Sequence, residues 1–562
     1  MTVAGLWSLL HPAQTTAPFL QLSIDTFSTS PHRGYRVGID ATQWLYHAHC
    51  AKQADRFKAD ADLRVLFYRL CDLLKQGVLA LFVFDGPQRP EFKRGKAVFL
   101  GQSDLQHTFI RLISAFGMLS RVARGEGEAE LAALAQLGEL DAVMTDDADT
   151  LVFGAPLVIR NPPSKATRTR RQALPSTSTS SSTGSTSSTS SLPLARRLSQ
   201  LPAPNYVHLY HRDRILTHSH LNRAGMILVA LLSGGDYHPE GIKGCGAGCA
   251  QALARAGLGE DLLEGFQTWR DDPPRLADFL SEWRERAATE LAENTGGFSR
   301  QRHYRVAKRM RSASALDFPF LLPLVDAYTS PEVNPFTPLN WSHPVNLQSI
   351  ITICSSQFKW PLPTLTDNLQ RHLWPGLLVR ELWVEALRRD LGFAGPSINS
   401  VILQSTNVFS SKTAPSTGSA RCYRVQLDRR PFEALINPHL PNPDPHSHLP
   451  ISKSAKKAIL KRSQGLTAGL RHWIPAEFLR AGFGWATEIK PGGSGGDGEN
   501  SLGANKRGRK GKGKERMGVE IDSSSDSDSN SASSSDVQME DFQPSWSRKS
   551  TKDGTYWETL EI

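Results

Sequence analysis

Seven carboxylates, far apart along the chain, fall where apolar runs end. They are Asp40 in VGIDATQWLY, Asp85 in FVFDG, Glu126 and Glu128 in RGEGEAELAALAQL, Asp147 and Asp149 in TDDADTLVFG, and Asp236 in LLSGGDY. Taken singly, each reads most simply as a helix cap or loop residue. The crowding of Glu126, Glu128 and Glu130 into one turn, with no lysine four residues on, can be a solvated helix start facing the dipole. Gathered at one sheet edge, the seven would repel one another unless cations neutralised them. Oxygen-only donors select hard ions such as Mg²⁺ or Mn²⁺. Two such ions roughly 4 Å apart can activate a water and stabilise the leaving oxygen of a phosphodiester.

The elements that must position these acids are legible in the same stretch. YRVGID (35–40), LALFVFDG (79–86), GMLSRVA (117–123), DAVMTDDAD (141–149) and PLVIR (156–160) read as buried strands. DLRVLFYRLCDLLKQG and GEAELAALAQLGE between them have helical spacing. Strands alternating with helices predict an α/β fold, a mostly parallel sheet with helices on both faces. Acids at the C-terminal strand ends sit where open α/β sheets place ligands.

Length, charge and cysteine usage bound the rest. A chain of 562 residues exceeds one compact core. Its 65 Lys+Arg against 55 Asp+Glu give a net charge of +10, which suits a polyanionic partner. Six cysteines without a CxxC pair argue against a disulfide framework and a structural zinc site. No signal peptide or membrane span is read, so the expectation is a soluble intracellular protein. Residues 176–191 are only Ser, Thr and Gly, and predict a disordered insertion (about 164–204) before YVHLYHRD resumes a strand pattern. Helical patterns follow to about 390. ARCYRVQLD and RHWIPAEFLRAGF mark a weaker strand-and-helix region at 395–480, and Gly/Ser-rich composition predicts disorder over 490–562.

GIDATQWLY, VFDGPQRPEFKRGK, GEGEAELAALAQLG, TDDADTLVFGA and LLSGGDYHPEGIKGCGAGCA, in this order, resemble the flap endonuclease–XPG superfamily of structure-specific nucleases over roughly residues 1–390. The resemblance implies a PIN-like sheet spanning an N-terminal region (1–120) and an internal region (121–260). A helix–two-turn–helix and a helical part (261–390) follow. It implies that Asp40, Asp85, Glu126, Glu128, Asp147, Asp149 and Asp236 hold two Mg²⁺ ions, with Mn²⁺ as a substitute, and that Glu130 is an extra acid, read as surface. Lys93, Arg94 and Lys96 would clamp the scissile phosphate, with an exposed basic helix face as the alternative. Gly244, Gly246 and Gly248 would let backbone N–H groups grip one duplex arm beside a K⁺ ion, or form a close-packed turn. Lys308, Arg309 and Arg311, in RQRHYRVAKRMR, would line a second arm or belong to a solvated linker.

Only 41 positions separate Asp85 from Glu126, a short arch that suits branched DNA without free ends. FPFLLPLVDAYTSPEV and NWSHPVNLQSIITICSSQFKWP look like the GEN/Yen branch of Holliday-junction resolvases, whose nuclease is followed by a chromodomain-like α+β module, here 395–480. The resemblance thus implies an Mg²⁺-dependent endonuclease for junctions and 5′ flaps, acting in DNA repair and recombination. It would be monomeric in solution and dimeric on a four-way junction. A 5′-flap endonuclease or exonuclease and a catalytically inactive DNA-binding scaffold are the alternatives. Thr2 stands where the superfamily nearly always has Gly. KRGRKGKGKER (506–516) fits nuclear import or a DNA arm, and nuclear import is the favoured reading.

Overall fold

The run VLALFVF (β3, Val78–Phe84) is buried along its whole length, as a central parallel strand covered on both faces must be. The computed structural model describes residues 3–54, 61–89, 92–93, 96–97, 104–161, 206–312, 321–358, 360–393, 406–413, 421–427, 429–440, 470–483, 545–550 and 556–561. β1 is Thr15–Pro18, β2 Tyr35–Asp40, β4 Phe92–Lys93, β5 Lys96–Ala97, β6 Leu119–Val122, β7 Ala142–Met144, β8 Leu157–Arg160 and β9 Tyr206–His211. Seven of these strands form one sheet in the order β1-β9-β8-β7-β2-β3-β6. The five from β8 to β6 are mutually parallel. β9 and β1 run antiparallel at the other edge. The sheet is therefore mostly parallel, as its alternation with helices predicts. Strand β1 was not legible, because TTAP is short and ends on proline. The Ser/Thr insertion lies outside the described residues.

Helices α1 (Leu6–Leu10), α2 (Phe19–Thr29), α3 (Ala41–Ala54), α4 (Ala61–Lys75), α5 (Asp104–Ala115), α6 (Gly127–Gln136) and α7 (Asp149–Val152) accompany the sheet. Their apolar stripes supply rings that meet edge to face over β3. Trp44 lies 5.2 Å and Phe109 5.4 Å from the Phe82 ring. Two glycines set how closely the chain packs around the acids. A Cβ on Gly38 of β2 would lie 2.5 Å from Leu131 and 2.6 Å from Leu140, so glycine lets α6 press onto the sheet. A Cβ on Gly86 would lie 1.8 Å from the Ala123 carbonyl oxygen. That contact lets the segments after β3 and β6 zip together, with Gly86 N donating to Gly125 O at 2.7 Å and Gln88 N to Arg124 O at 3.0 Å.

Residues beyond the seven-stranded sheet form a second, smaller sheet, β10-β11-β12 (Thr406–Thr413, Arg421–Leu427, Leu470–Pro475), followed by the helix Ala476–Phe483. It packs on the larger core. Phe432 stacks on Trp374 at 4.4 Å, Phe478 meets Phe27 at 4.6 Å, and Gly482 abuts Leu382. Residues Ser545–Ser550 and Tyr556–Glu561 pair antiparallel as β13 and β14, and the rest of the 490–562 tail read as disordered lies outside the described residues. Among the described residues no helix is long and apolar enough to cross a membrane.

Candidate metal-dependent active site

Parallel pairing brings the ends of β2, β3 and β7 side by side, with Asp40 opposite Val83 and Ile39 opposite Met144. Asp40 is buried; its carboxylate accepts from Gln43 N at 2.9 Å and from the Thr145 hydroxyl at 3.3 Å. Burial, then the negative charge of Asp85 and, more weakly, that of Asp147, push its pKa up to about 7 against those two hydrogen bonds. Asp85 follows β3 directly. One oxygen accepts from Gly127 N at 2.9 Å, the other from Arg89 Nη1 at 2.7 Å. Asp147, buried, accepts from Asp149 N at 3.1 Å.

A second group sits across α6. Glu126 is buried at the N-cap of α6 and accepts from the Tyr237 hydroxyl at 2.6 Å. Burial and then Glu126 raise the Tyr237 pKa, with Tyr328 and Asp149 adding to it. Tyr237 therefore ties the turn carrying buried Asp236 to the start of α6. Asp149, also buried, accepts from the backbone N–H of Val3 at 3.1 Å, which brings in the N-terminal segment. Glu128, half-buried, lies in the first turn of α6. All seven acids thus lie at one end of the sheet or on elements tied to it. Among the described residues no group of three or more His, Cys, Asp or Glu side chains is placed to hold an ion. Arg89 engages Asp85 and Tyr237 engages Glu126. The donor set nevertheless fits a hard divalent ion: it is all oxygen, and Asp40 is held against two neighbouring carboxylates.

Glu130 corrects the expectation of an exposed acid. It is 1% exposed, pairs with Arg121 at 3.1 Å, and accepts from Asn334 N at 2.7 Å and Asn334 Nδ2 at 3.3 Å. Helical spacing alone cannot show that a segment 204 positions away returns to cover it. That segment also accepts from Gly125 N through the Glu332 carbonyl at 3.1 Å, bracing the turn before Glu126.

For the DNA-contact residues the structure divides the set. Gly246 caps the helix Ala247–Arg255, and a Cβ on Gly246 or Gly248 would meet nothing within 4 Å, which argues against a close-packed turn at those two positions. Gly244 has φ +90° and lies beside Arg309. Lys308, Arg309 and Arg311 are all exposed; Arg309 donates to the Lys243 carbonyl and Arg311 pairs with Glu285 at 2.8 Å. Lys93 and Lys96 pair across the β4–β5 hairpin, and Arg94 lies outside the described residues.

Arg89, Tyr237 and the Val3 amide escaped sequence reasoning. Arg89 stands four residues after Asp85 and Tyr237 directly follows Asp236, so adjacency was the available signal.

The comparisons with known proteins agree with this geometry. Residues 1–98 match the XPG N-terminal domain and 117–236 the XPG I-region. The mouse protein named Flap endonuclease GEN homolog 1 is 25% identical over 294 residues, 49% of this chain and 27% of that protein. Flap endonuclease 1 of Hyperthermus butylicus is 26% identical over 340 residues, 50% of this chain and 89% of that protein. The chain thus spans about a quarter of the length of the GEN relative it matches. The crystal structure of the Holliday junction-resolving enzyme GEN1 with product DNA and Mg²⁺ superimposes with a TM-score of 0.58 at 26% identity, covering 85% of this chain and 96% of that one.

Proposed function

From the premise that this chain is a member of the XPG superfamily on its GEN branch, we propose that it is a structure-specific endonuclease hydrolysing phosphodiesters in branched DNA. One observation carries the reading most directly: Asp40 lies buried under the charge of Asp85 and Asp147 at the strand ends, beside an α6 whose first amide is fastened to Asp85. Such a cluster is costly without a cation and has little structural use.

Asp40, Asp85, Glu126, Glu128, Asp147, Asp149 and Asp236 would hold two Mg²⁺ ions, with Mn²⁺ able to replace them. When bound there, the ions supply an activated water and charge for the departing oxygen. The chain's own residues do the rest. Gln43 N and Thr145 orient the Asp40 carboxylate, and Tyr237 orients that of Glu126. The turn at Gly244 and Gly246 and the helix start at Gly248 offer backbone N–H groups to one duplex arm, with a K⁺ ion coordinated beside them. Lys93, Arg94 and Lys96 follow Asp85 closely enough to meet the cut phosphate, and exposed Lys308 extends the basic face. In-line attack leaves a 5′-phosphate and a 3′-hydroxyl. Resolving a four-way junction takes two cuts, so two copies assemble on it; a nuclear site of action follows from a chromosomal substrate.

The short arch between Asp85 and Glu126 supports junctions over threaded 5′ flaps. The test is Mg²⁺-dependent cleavage of a labelled panel containing a static four-way junction and a 5′ flap. Symmetric junction cutting, lost in Asp40→Ala with binding retained, is expected. Cutting of the flap alone would move the chain to the flap enzymes, and binding without any cleavage would make it a scaffold.

A further inference from the structure

Arg89 places a fixed positive charge inside the acid cluster. Its Nη1 lies 2.7 Å from Asp85 Oδ2, and the two side chains are 13% and 15% exposed. The other Asp85 oxygen is taken by the Gly127 amide. Both oxygens of this central carboxylate are thus engaged within the chain. Each oxygen keeps a further lone pair, so what opposes an incoming divalent ion is the positive guanidinium 2.7 Å from Asp85, and its displacement would relieve that repulsion.

The structure also offers Arg89 a second resting place. A cavity of about 220 Å³ opens beside it, lined among others by Gln88, Glu126, Tyr237, Asp326 and Glu332. Asp326 and Glu332 give it an acidic wall, each held from the outside by Arg270 at 3.3 Å and Arg124 at 3.1 Å. A long, jointed side chain that leaves Asp85 can therefore turn toward opposite charge.

We propose that Arg89 is a built-in counter-ion that competes with the divalent ion for Asp85, withdraws into the adjoining cavity when the ion binds, and so sets the ion concentration at which the nuclease becomes competent. This rests on the proposed nuclease reading. Physically it is a linkage: a cation that must be displaced weakens the incoming ion by the coupling between them, and removing it tightens ion binding by the same factor. The retained benefit is that the acids stay neutralised while the site waits.

The experiment titrates the full-length chain with Mn²⁺, following free ion by electron paramagnetic resonance, without DNA. Arg89→Gln is expected to bind Mn²⁺ about tenfold more tightly than the unaltered chain. The Mg²⁺ concentration for half-maximal junction cleavage should fall in parallel. If Arg89→Gln does not fold by circular dichroism, Arg89→Lys serves. Its shorter, more strongly hydrated head group holds Asp85 less well, and about threefold tighter binding is expected. Equal or weaker Mn²⁺ binding in the folded variant overturns the proposal while leaving the nuclease reading intact. An unaltered chain that neither binds Mn²⁺ nor cuts DNA overturns both.

Discussion

Replacing Glu130 with alanine separates an acid that builds the fold from acids that hold ions. Glu130 sits two residues from Glu128 and four from Glu126, yet its carboxylate faces Arg121 and Asn334. Its removal leaves a guanidinium that is 17% exposed without its ion pair, and the Asn334 amide without an acceptor. Breaking a buried pair costs about 3–5 kcal/mol. Arg121 keeps the Thr337 hydroxyl at 2.5 Å and some access to water, so about 3 kcal/mol is expected. Urea denaturation followed by circular dichroism should show that loss in Glu130→Ala and a smaller one in Glu130→Gln, which keeps an acceptor for Asn334. At a temperature where both remain folded, junction cleavage should stay within a fewfold of the unaltered chain. Asp40→Ala should show the reverse pattern, with cleavage abolished and stability held or raised, because it relieves the repulsion around Asp85 and Asp147. A Glu130→Ala protein of full stability that no longer cuts would refute the assignment and return Glu130 to the ion-binding set.

Tyr237→Phe removes the hydroxyl that orients Glu126 and should weaken Mn²⁺ binding about tenfold, read by calorimetry, because outer groups that aim a ligand matter at this level. Gly38→Ala forces a methyl to within 2.5 Å of Leu131 and should cost about 1–3 kcal/mol in urea titration. Burial, then the charges of Lys75 and His372, push the His472 pKa down to about 3. His472 is therefore neutral in the fold and takes up a proton more readily once unfolded. Its stabilisation is whole above about pH 6.5 and drains away as pH falls toward 3, so thermal melts should drop over that window and drop less in His472→Phe.

Asp40 and Asp85 were legible in the sequence because they end apolar strands, and the mostly parallel sheet because strands alternate with helices. Their partners were not. Asn334 reaches Glu130 across 204 positions, and exposed Arg309 reaches along the surface to the Lys243 carbonyl. Both depend on where distant segments return, which no local period encodes. The docking of the small module rests likewise on single rings, Phe478 on Phe27 and Phe432 on Trp374, each unremarkable in its own segment. Gly246 and Gly248 show the converse case, where the sequence left a packed turn and an open loop equally available and the empty space around each glycine separates them.

The pairing of β1 with β9 constrains how this chain folds. Thr15 meets Leu209, Val3 meets Asp149 and Trp7 meets the Asp146 carbonyl, so these residues wait for partners 194, 146 and 139 positions further along the chain. The Ser/Thr stretch between β8 and β9 lengthens that wait at little thermodynamic cost, since doubling a loop adds only about 0.6 kcal/mol to its closure. A polypeptide that ends before β9 would therefore lack the strand that pairs with β1 at this sheet edge.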